Sequence, residues 1–141
     1  FETLLITNIL ASAFMTGLIW FVQLVHYPSF ELIADADFTA FHRFHIPQTG
    51  LVVIPPMLAE IGSSLWLVAA FDQWWLVNAV GLSLVIGIWI STFALQARYH
   101  KKLQQQPSHQ LVRQLITTNW IRTALWTTKT GCSAYILVKL L

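Results

Sequence analysis

Long runs of apolar residues alternate along the chain with short polar segments. Four runs are close to or longer than the roughly 20 residues that a helix needs to cross the hydrocarbon core of a bilayer. They cover residues 4–26, 47–71, 75–97 and 116–140. The pattern therefore predicts an all-α protein, a transmembrane four-helix bundle that forms a single domain over residues 1–141.

The segments between the predicted spans differ in length. Residues 71–75 form a short turn with two tryptophans, as is typical of a membrane–water interface, so spans two and three are expected to be antiparallel neighbours. In the longer segment 27–46, aromatic and histidine residues recur at helical spacing after Asp35, which can cap a helix. These residues are Phe38, Phe41, His42 and His45. We predict a short interfacial helix between spans one and two, which can run into span two, with His42 pointing further from the bundle than His45.

The composition supports a membrane protein. Hydrophobic residues make up 56% of the chain and charged residues only 10%, whereas a soluble domain usually has about 25% charged residues. The mean hydropathy is +0.62. This shortage of charge excludes a soluble globular domain, a disordered chain and a protein that binds nucleic acid through a basic face. The single cysteine, Cys132, excludes a disulfide framework and a cysteine-based zinc or iron–sulfur site.

Basic residues lie mostly on one side of the predicted bundle. The loops on that side contain Arg43, Arg98, Lys101, Lys102 and Arg113. The loop on the other side has no basic residue, and Lys139 lies close to the end of the chain. Because cytoplasmic loops are enriched in lysine and arginine, we expect the two basic loops to face the cytoplasm and both termini to be non-cytoplasmic.

Histidines gather at the predicted cytoplasmic ends of the spans. His26 ends span one, His45 precedes span two and His100 ends span three, so imidazoles from different helices are expected at one level. Neutral imidazole is the commonest metal ligand, and a pair of histidines can hold haem in a bundle. We therefore predict that these three histidines bind haem or a transition metal ion. Tyr27 and Gln96 are expected beside them as further cofactor contacts.

Polar residues recur every three or four positions in the spans, so that they share one face of each helix. Along the chain these residues are Asn8, Ser12, Thr16, Gln23, His45, Thr49, Glu60, Ser64, Thr92, Gln96, His100, Asn119, Arg122, Thr123, Trp126, Thr130 and Ser133. Lipid cannot satisfy their hydrogen bonds, so these faces are predicted to point into the bundle. The opposite, apolar faces are expected to contact lipid.

Charged residues inside the predicted spans need partners. Glu60 and Lys129 have the same expected depth, roughly 20 Å from the cytoplasmic ends of their helices, and Arg122 lies about 10 Å shallower. Glu60 with Lys129 is therefore the predicted ion pair, and a proton relay through Glu60 is the functional alternative. Pro55 and Pro56 are expected to kink span two and to free backbone carbonyls beside Glu60.

Arg122 and Asn119 are predicted to hold an anionic or carbonyl group at the cytoplasmic mouth of the bundle. Asn119 lies near the expected start of span four, where free backbone N–H groups favour anions. Glu60 and Arg122 are thus the candidate catalytic residues, and Asn119 is a candidate binding residue.

The chain resembles an uncharacterised family of small bacterial four-span integral membrane proteins. The first half of the resemblance consists of Gln23-x-x-His26-Tyr27-Pro28, His45 and Pro55-Pro56-Met57-x-x-Glu60. The second half consists of Trp89-x-Ser91-Thr92-x-x-x-Gln96-x-x-x-His100 and Thr118-Asn119-Trp120-Ile121-Arg122-Thr123-x-x-Trp126-Thr127. The resemblance implies a multi-pass protein of the bacterial inner membrane and no particular activity.

Three functional hypotheses follow from these residues. The first is a redox protein or membrane metalloenzyme that binds haem or a metal ion and acts on a lipid-soluble substrate such as a quinone, a fatty chain or an isoprenoid. The second is an accessory subunit of a larger photosynthetic or respiratory complex, which co-purification in mild detergent would reveal. The third is a small proton-coupled transporter, which fits a homodimer and depends on Glu60 and the predicted kink.

Overall fold

The computed structural model describes residues 2–141, and this part of the chain folds into long helices without a β-strand. The helices are α1 (Glu2–Leu32), α2 (Asp35–Ala70), α3 (Asp72–Gln105) and α4 (His109–Leu140). Helix α1 packs against α2 and α4, and α3 packs against the same two helices, so the four form a closed ring. The predicted all-α fold is confirmed.

Three of these helices, α1 to α3, are long and apolar enough to cross a membrane. Helix α4 has 32 residues and is long enough, but its inward face contains Asn119, Arg122 and Lys129 as well as several threonines. These residues make α4 the most polar of the four long helices, and its passage through the membrane stays a prediction.

The bundle is polar inside and apolar outside. Leu10, Leu51 and Ile90 are 64%, 71% and 62% exposed, whereas Asn8 and Glu60 are buried. The predicted inward direction of the polar faces is confirmed. Apolar residues such as Met15, Ile88 and Trp126 fill the rest of the interior.

The helix predicted between spans one and two is present and runs into span two, so the two form one element. Residues 35–46 form the first part of α2, which continues without interruption past Pro47, Pro55 and Pro56 to Ala70. The extended backbone of Ala34 marks the start, and no side chain caps it. Asp35 lies in the first turn, where a carboxylate interacts favourably with the helix dipole instead of capping.

Two π-helical turns interrupt α1 and α3 at the same end of the bundle. The turns span Val22–His26 and Thr92–Gln96. Each contains a backbone hydrogen bond between residues five positions apart: the Tyr27 N–H donates to Val22 O, and the Ala97 N–H donates to Thr92 O. A π turn inserts an extra residue and rotates the helix beyond it. The two turns therefore set the direction of the side chains that follow them.

Candidate metal centre and neighbouring cleft

Four histidines from three helices converge at the end of the bundle that contains the π turns. His26 comes from α1, His42 and His45 from α2, and His100 from α3. The ring centroids are 4.7 Å apart for His26 and His45, 5.2 Å for His42 and His100, and 5.7 Å for His45 and His100. The expected approach of His26, His45 and His100 is thus found.

The expectation for His42 is wrong, because its ring is fully buried in this cluster and not turned away from the bundle. His42 Nε2 lies 2.9 Å from His100 Nδ1. The reason is the continuous α2 helix, in which His42 and His45 are one turn apart and share the inward face. From the sequence, His42 was expected further from the bundle than His45 because span two was predicted to begin at Pro47, after both histidines.

The imidazoles form two hydrogen-bonded pairs. His26 Nε2 lies 3.1 Å from His45 Nδ1, and the Thr49 hydroxyl lies 2.9 Å from the same His45 nitrogen. The second pair is His42 with His100. Only one hydrogen can lie between two ring nitrogens, so in each pair one nitrogen donates its N–H and the other accepts with its lone pair. No carboxylate takes part in either pair.

Aromatic side chains hold the imidazole planes in place. The Phe38 ring stacks on His42 with centroids 5.6 Å apart, and Phe41 stacks on His45 at 6.0 Å. The buried Phe30 ring packs edge-on at 5.2 Å from the centroids of both His26 and His45. These contacts limit the ways in which the four imidazoles can rotate.

Tyr27, predicted as a neighbour of the cofactor ligands, touches His100. Its hydroxyl lies 3.1 Å from His100 Nε2 and also faces the Arg122 guanidinium. A second partner on the far nitrogen of an imidazole fixes the tautomer and the orientation of the ring. Tyr27 therefore orients His100.

The four histidines are close, yet their nitrogens do not surround a common point. Within residues 2–141, no group of three or more His, Cys, Asp or Glu side chains has the arrangement of a metal site. The nitrogens instead face each other pairwise. Binding of one ion by all four rings would require the imidazoles to rotate until their nitrogens face a common point.

A cleft of about 760 Å³ adjoins the cluster between α2 and α3, against α1. Its walls are mostly apolar and include Met15, Ile19, Val53, Met57, Trp89 and Phe93. His26, His45 and His100 line its polar end together with Gln96 and Arg122. The rim residues Ile54 and Phe93 are 51% and 62% exposed, so the cleft opens sideways at the apolar surface of the bundle.

Two buried polar atoms of cleft-lining residues have no hydrogen-bond partner, Gln96 Oε1 and Arg122 Nε. The Gln96 amide nitrogen donates to the Thr118 hydroxyl over 3.0 Å, and that hydroxyl donates to the Gln114 carbonyl over 2.7 Å. Since Thr118 uses its one hydrogen on Gln114, it can only accept from Gln96. The Gln96 oxygen is therefore held as an unused acceptor.

The predicted environment of Asn119 is wrong. Helix α4 begins at His109, where Ser108 Oγ accepts a hydrogen bond from the Leu111 N–H, so Asn119 lies well inside the helix and no free N–H groups surround it. Its side chain accepts from Arg122 Nη1 over 3.3 Å and donates to Gln23 Oε1 over 2.9 Å. Asn119 positions Arg122 and does not line the cleft.

The predicted direct ion pair of Glu60 and Lys129 is also wrong. The Ser12 hydroxyl lies between the two charges: it donates to Glu60 Oε1 over 2.6 Å and lies 3.3 Å from Lys129 Nζ. Trp126 Nε1 donates to the other Glu60 oxygen over 3.0 Å. Lys129 donates instead to Asn8 Oδ1 over 2.6 Å. Both residues do lie in one buried network, at matching depth.

Arg122 does not join that network. Its guanidinium lies over the Trp126 ring, 5.1 Å from the centroid, and Glu60 does not line the cleft. The two candidate catalytic residues are thus on different sides of Trp126, with Arg122 near the histidines and Glu60 in the interior. Within residues 2–141 the single ion pair is the peripheral contact of Arg113 with Glu31, at 3.2 Å.

Comparison of the chain with known protein families, with curated proteins and with solved structures found no match. The geometry of the site is therefore the basis for its interpretation.

Proposed function

We propose that this is an integral membrane protein in which His26, His42, His45 and His100 hold a transition metal ion next to a lipid-soluble substrate. The observation that carries the proposal is the pairing of four imidazoles from three helices at nitrogen–nitrogen distances of 3.1 Å and 2.9 Å. The buried Phe30 and Tyr27 side chains shield this site, and it has no competing carboxylate.

These distances suit ligands of one ion. Two nitrogens that each lie about 2.0–2.1 Å from a metal are roughly 3.0 Å apart at a right angle and roughly 3.4 Å apart at a tetrahedral angle. The two pairs have separations of 3.1 Å and 2.9 Å, so the nitrogens already have the spacing of two ligands, and binding requires each ring to turn its lone pair from the partner ring towards the ion. The donors would be His26 Nε2, His45 Nδ1, His42 Nε2 and His100 Nδ1. Imidazole sets of this kind suit zinc, copper, iron or nickel.

The same contacts favour an ion over haem, the other cofactor considered from the sequence. Two axial histidines bind on opposite faces of a haem, so the macrocycle must separate them. His42 with His100, and His26 with His45, are already in hydrogen-bond contact. A haem held between the two histidines of either pair would have to break the hydrogen bond that joins them.

The substrate part of the proposal depends on the cleft. A bound redox-active ion would supply electron transfer at the polar end of a cavity that opens at the apolar surface. The protein's own groups would exclude water through the apolar walls, orient His100 through Tyr27, and present Arg122 to a polar head group. We also propose the bacterial inner membrane as the location, four spans, and both termini outside the cytoplasm, from the charge bias and the resemblance.

The experiment is elemental analysis of the purified protein and of single alanine variants. We expect about one equivalent of a transition metal per chain, and a loss of most of it in H26A, H42A, H45A and H100A. The control is H109A, which removes an exposed histidine outside the cluster. A protein that stays folded and metal-free after growth and purification with each candidate metal would overturn the proposal.

The transporter hypothesis has no specific support in the structure. The cavity beside Lys129 has a volume of only about 10 Å³, which is close to the space of one water molecule. Glu60 is enclosed by Ser12 and Trp126, which donate to its two oxygens. This network is better suited to fixing the positions of α1, α2 and α4.

A further inference from the structure

We infer that the cleft between α2 and α3 binds a quinol, with its ring at Arg122 and Gln96 and its tail leaving between Ile54 and Phe93. A quinol is the substrate class that we assign to the proposed function, and its role as a substrate rests on that function. The binding itself depends only on the cleft and can be measured without metal.

The size and lining of the cleft suit a ring with an attached chain. Small-molecule sites usually have volumes of about 300–1,000 Å³ and mostly apolar walls with a few polar groups, and this cleft has about 760 Å³. Met15, Met57 and Trp89 form apolar walls, and all its polar groups other than Thr49 and Thr92 lie towards one end. Since the rim is apolar and exposed, a chain can extend from the cleft into lipid.

Arg122 provides a donor that lacks a partner. The residue is 7% exposed, its Nε has no hydrogen-bond partner, and no carboxylate pairs with it in the described part of the chain. A buried guanidinium N–H without an acceptor is costly, since each unmet polar group loses its hydration. An oxygen acceptor on a ligand would remove that cost.

Gln96 provides the complementary acceptor. Its Oε1 is buried, has no partner, and is held away from Thr118 because Thr118 accepts from the amide nitrogen. Gln96 is 2% exposed and is the last residue of the π turn in α3. The ligand must therefore bring a hydrogen-bond donor as well as an acceptor.

A quinol hydroxyl meets both demands, because it accepts at its oxygen and donates its hydrogen. A quinone has acceptors alone and leaves Gln96 Oε1 without a partner. A fatty-acid carboxylate satisfies Arg122 but places a second negative oxygen towards Gln96 Oε1. The expected order of affinity is therefore quinol, then quinone, with the fatty acid weaker than quinol.

The proposed position of the quinol head group is close to the histidines. His26, His45 and His100 line the same end of the cleft as Arg122 and Gln96. A quinol ring at this end lies beside the proposed metal ligands. The inference concerns binding, and no electron-transfer step is assigned.

The test is equilibrium binding of a decyl-chain benzoquinol, the matching quinone and dodecanoate to the full chain in nanodiscs, followed by tryptophan fluorescence under argon. Trp89 in the cleft wall is the expected reporter. G50L should abolish binding, because Gly50 lines the cleft and a Cβ there meets only Ile54 Cδ1, at 3.6 Å. The control is G62L, on the same helix and away from the cleft, where a Cβ meets nothing within 4 Å. Equal binding by G50L and G62L would overturn the inference.

A second variant tests the head group independently of the cleft volume. Q96L should weaken quinol binding about tenfold and bring it to the level of quinone, since it removes the acceptor. The control is Q105L, which changes an exposed glutamine of the same helix. A preference for quinol that survives in Q96L would contradict the assignment.

The two proposals fail separately. Chelator-treated protein that binds quinol in a Gly50-dependent manner, but never takes up metal, would overturn the proposed function and leave the inference standing. Protein that contains metal at the histidines and yet binds no quinol, or binds dodecanoate more tightly, would overturn the inference alone.

Discussion

His42 Nε2 and His100 Nδ1 lie 2.9 Å apart and join α2 to α3 beneath the stacked ring of Phe38. Further along the bundle, the cleft lies between the same two helices. His42 was the one cluster member expected to point away, and it is the most deeply buried of the four. Its position adds a fourth imidazole to the three that were expected to converge.

Replacing His42 with alanine should remove metal-dependent stabilisation. A ligand that binds only the folded state raises its stability by about 2.7 kcal/mol at a concentration of about 100 times the Kd. Thermal unfolding in detergent, with and without added metal, should show this increase in the parent and in H109A but not in H42A. An equal increase in H42A would mean that His42 is not a ligand.

Replacing Tyr27 with phenylalanine should weaken metal binding without abolishing it. The change removes the hydroxyl that lies 3.1 Å from His100 Nε2 and keeps the buried ring. Loss of such an orienting contact typically costs about 10–100-fold in metal affinity. Competition with a chromophoric chelator measures the change, and Y135F, at a 50% exposed tyrosine, is the control. Unchanged affinity in Y27F would remove Tyr27 from the site.

Glu60 and Lys129 should be energetically coupled although they are not in direct contact. In K129M, Glu60 keeps the hydrogen bonds from Ser12 and Trp126 but loses the nearby positive charge. We expect a loss of about 2–4 kcal/mol, and a smaller loss in the E60Q/K129M double variant than the sum of the single variants. Unfolding by denaturant measures this cycle, with K139M at an exposed lysine as the control. Strict additivity would show that the two charges act independently.

Two glycine-to-alanine substitutions should differ in their effect on the free energy of unfolding. A Cβ at Gly81 would lie 3.3 Å from Lys129 Cε, and Lys129 is held by hydrogen bonds to Asn8 and Ser133. A Cβ at Gly131 meets nothing within 4 Å. Alanine is favoured over glycine in a helix by about 0.8–1.0 kcal/mol, so G131A should be neutral or stabilising. G81A should be less stable than G131A by roughly 1 kcal/mol, and equal stability of the two would show that Lys129 can shift freely.

The periodic pattern of polar residues predicted much of the fold. Because lipid and apolar surfaces cannot satisfy Asn8, Gln23, Glu60 or Asn119, the helical spacing of these residues was enough to place them inside the bundle. The convergence of His26, His45 and His100 followed from their common position at the ends of apolar runs. Both features could be predicted because they depend only on the spacing of residues along single helices.

The predictions that were wrong depend on local contacts that the periodic pattern of polar residues does not show. Pro47 suggested a helix start, but the polar spacing from His42 and His45 through Thr49 continues across it, and that signal could have placed His42 inside. The ion pair failed because depth alone does not reveal that Ser12 lies between the two charges.

X-ray absorption at the edge of the bound metal tests the four-histidine centre most directly. The protein is purified from cells supplied with the metal that elemental analysis identifies, and H42A serves as the comparison. We predict a first shell of nitrogens at about 2.0–2.1 Å, with the outer-shell scattering of four imidazoles in the parent and of three in any metal that H42A retains. The absence of any metal edge, or a shell without imidazole scattering, would contradict the assignment.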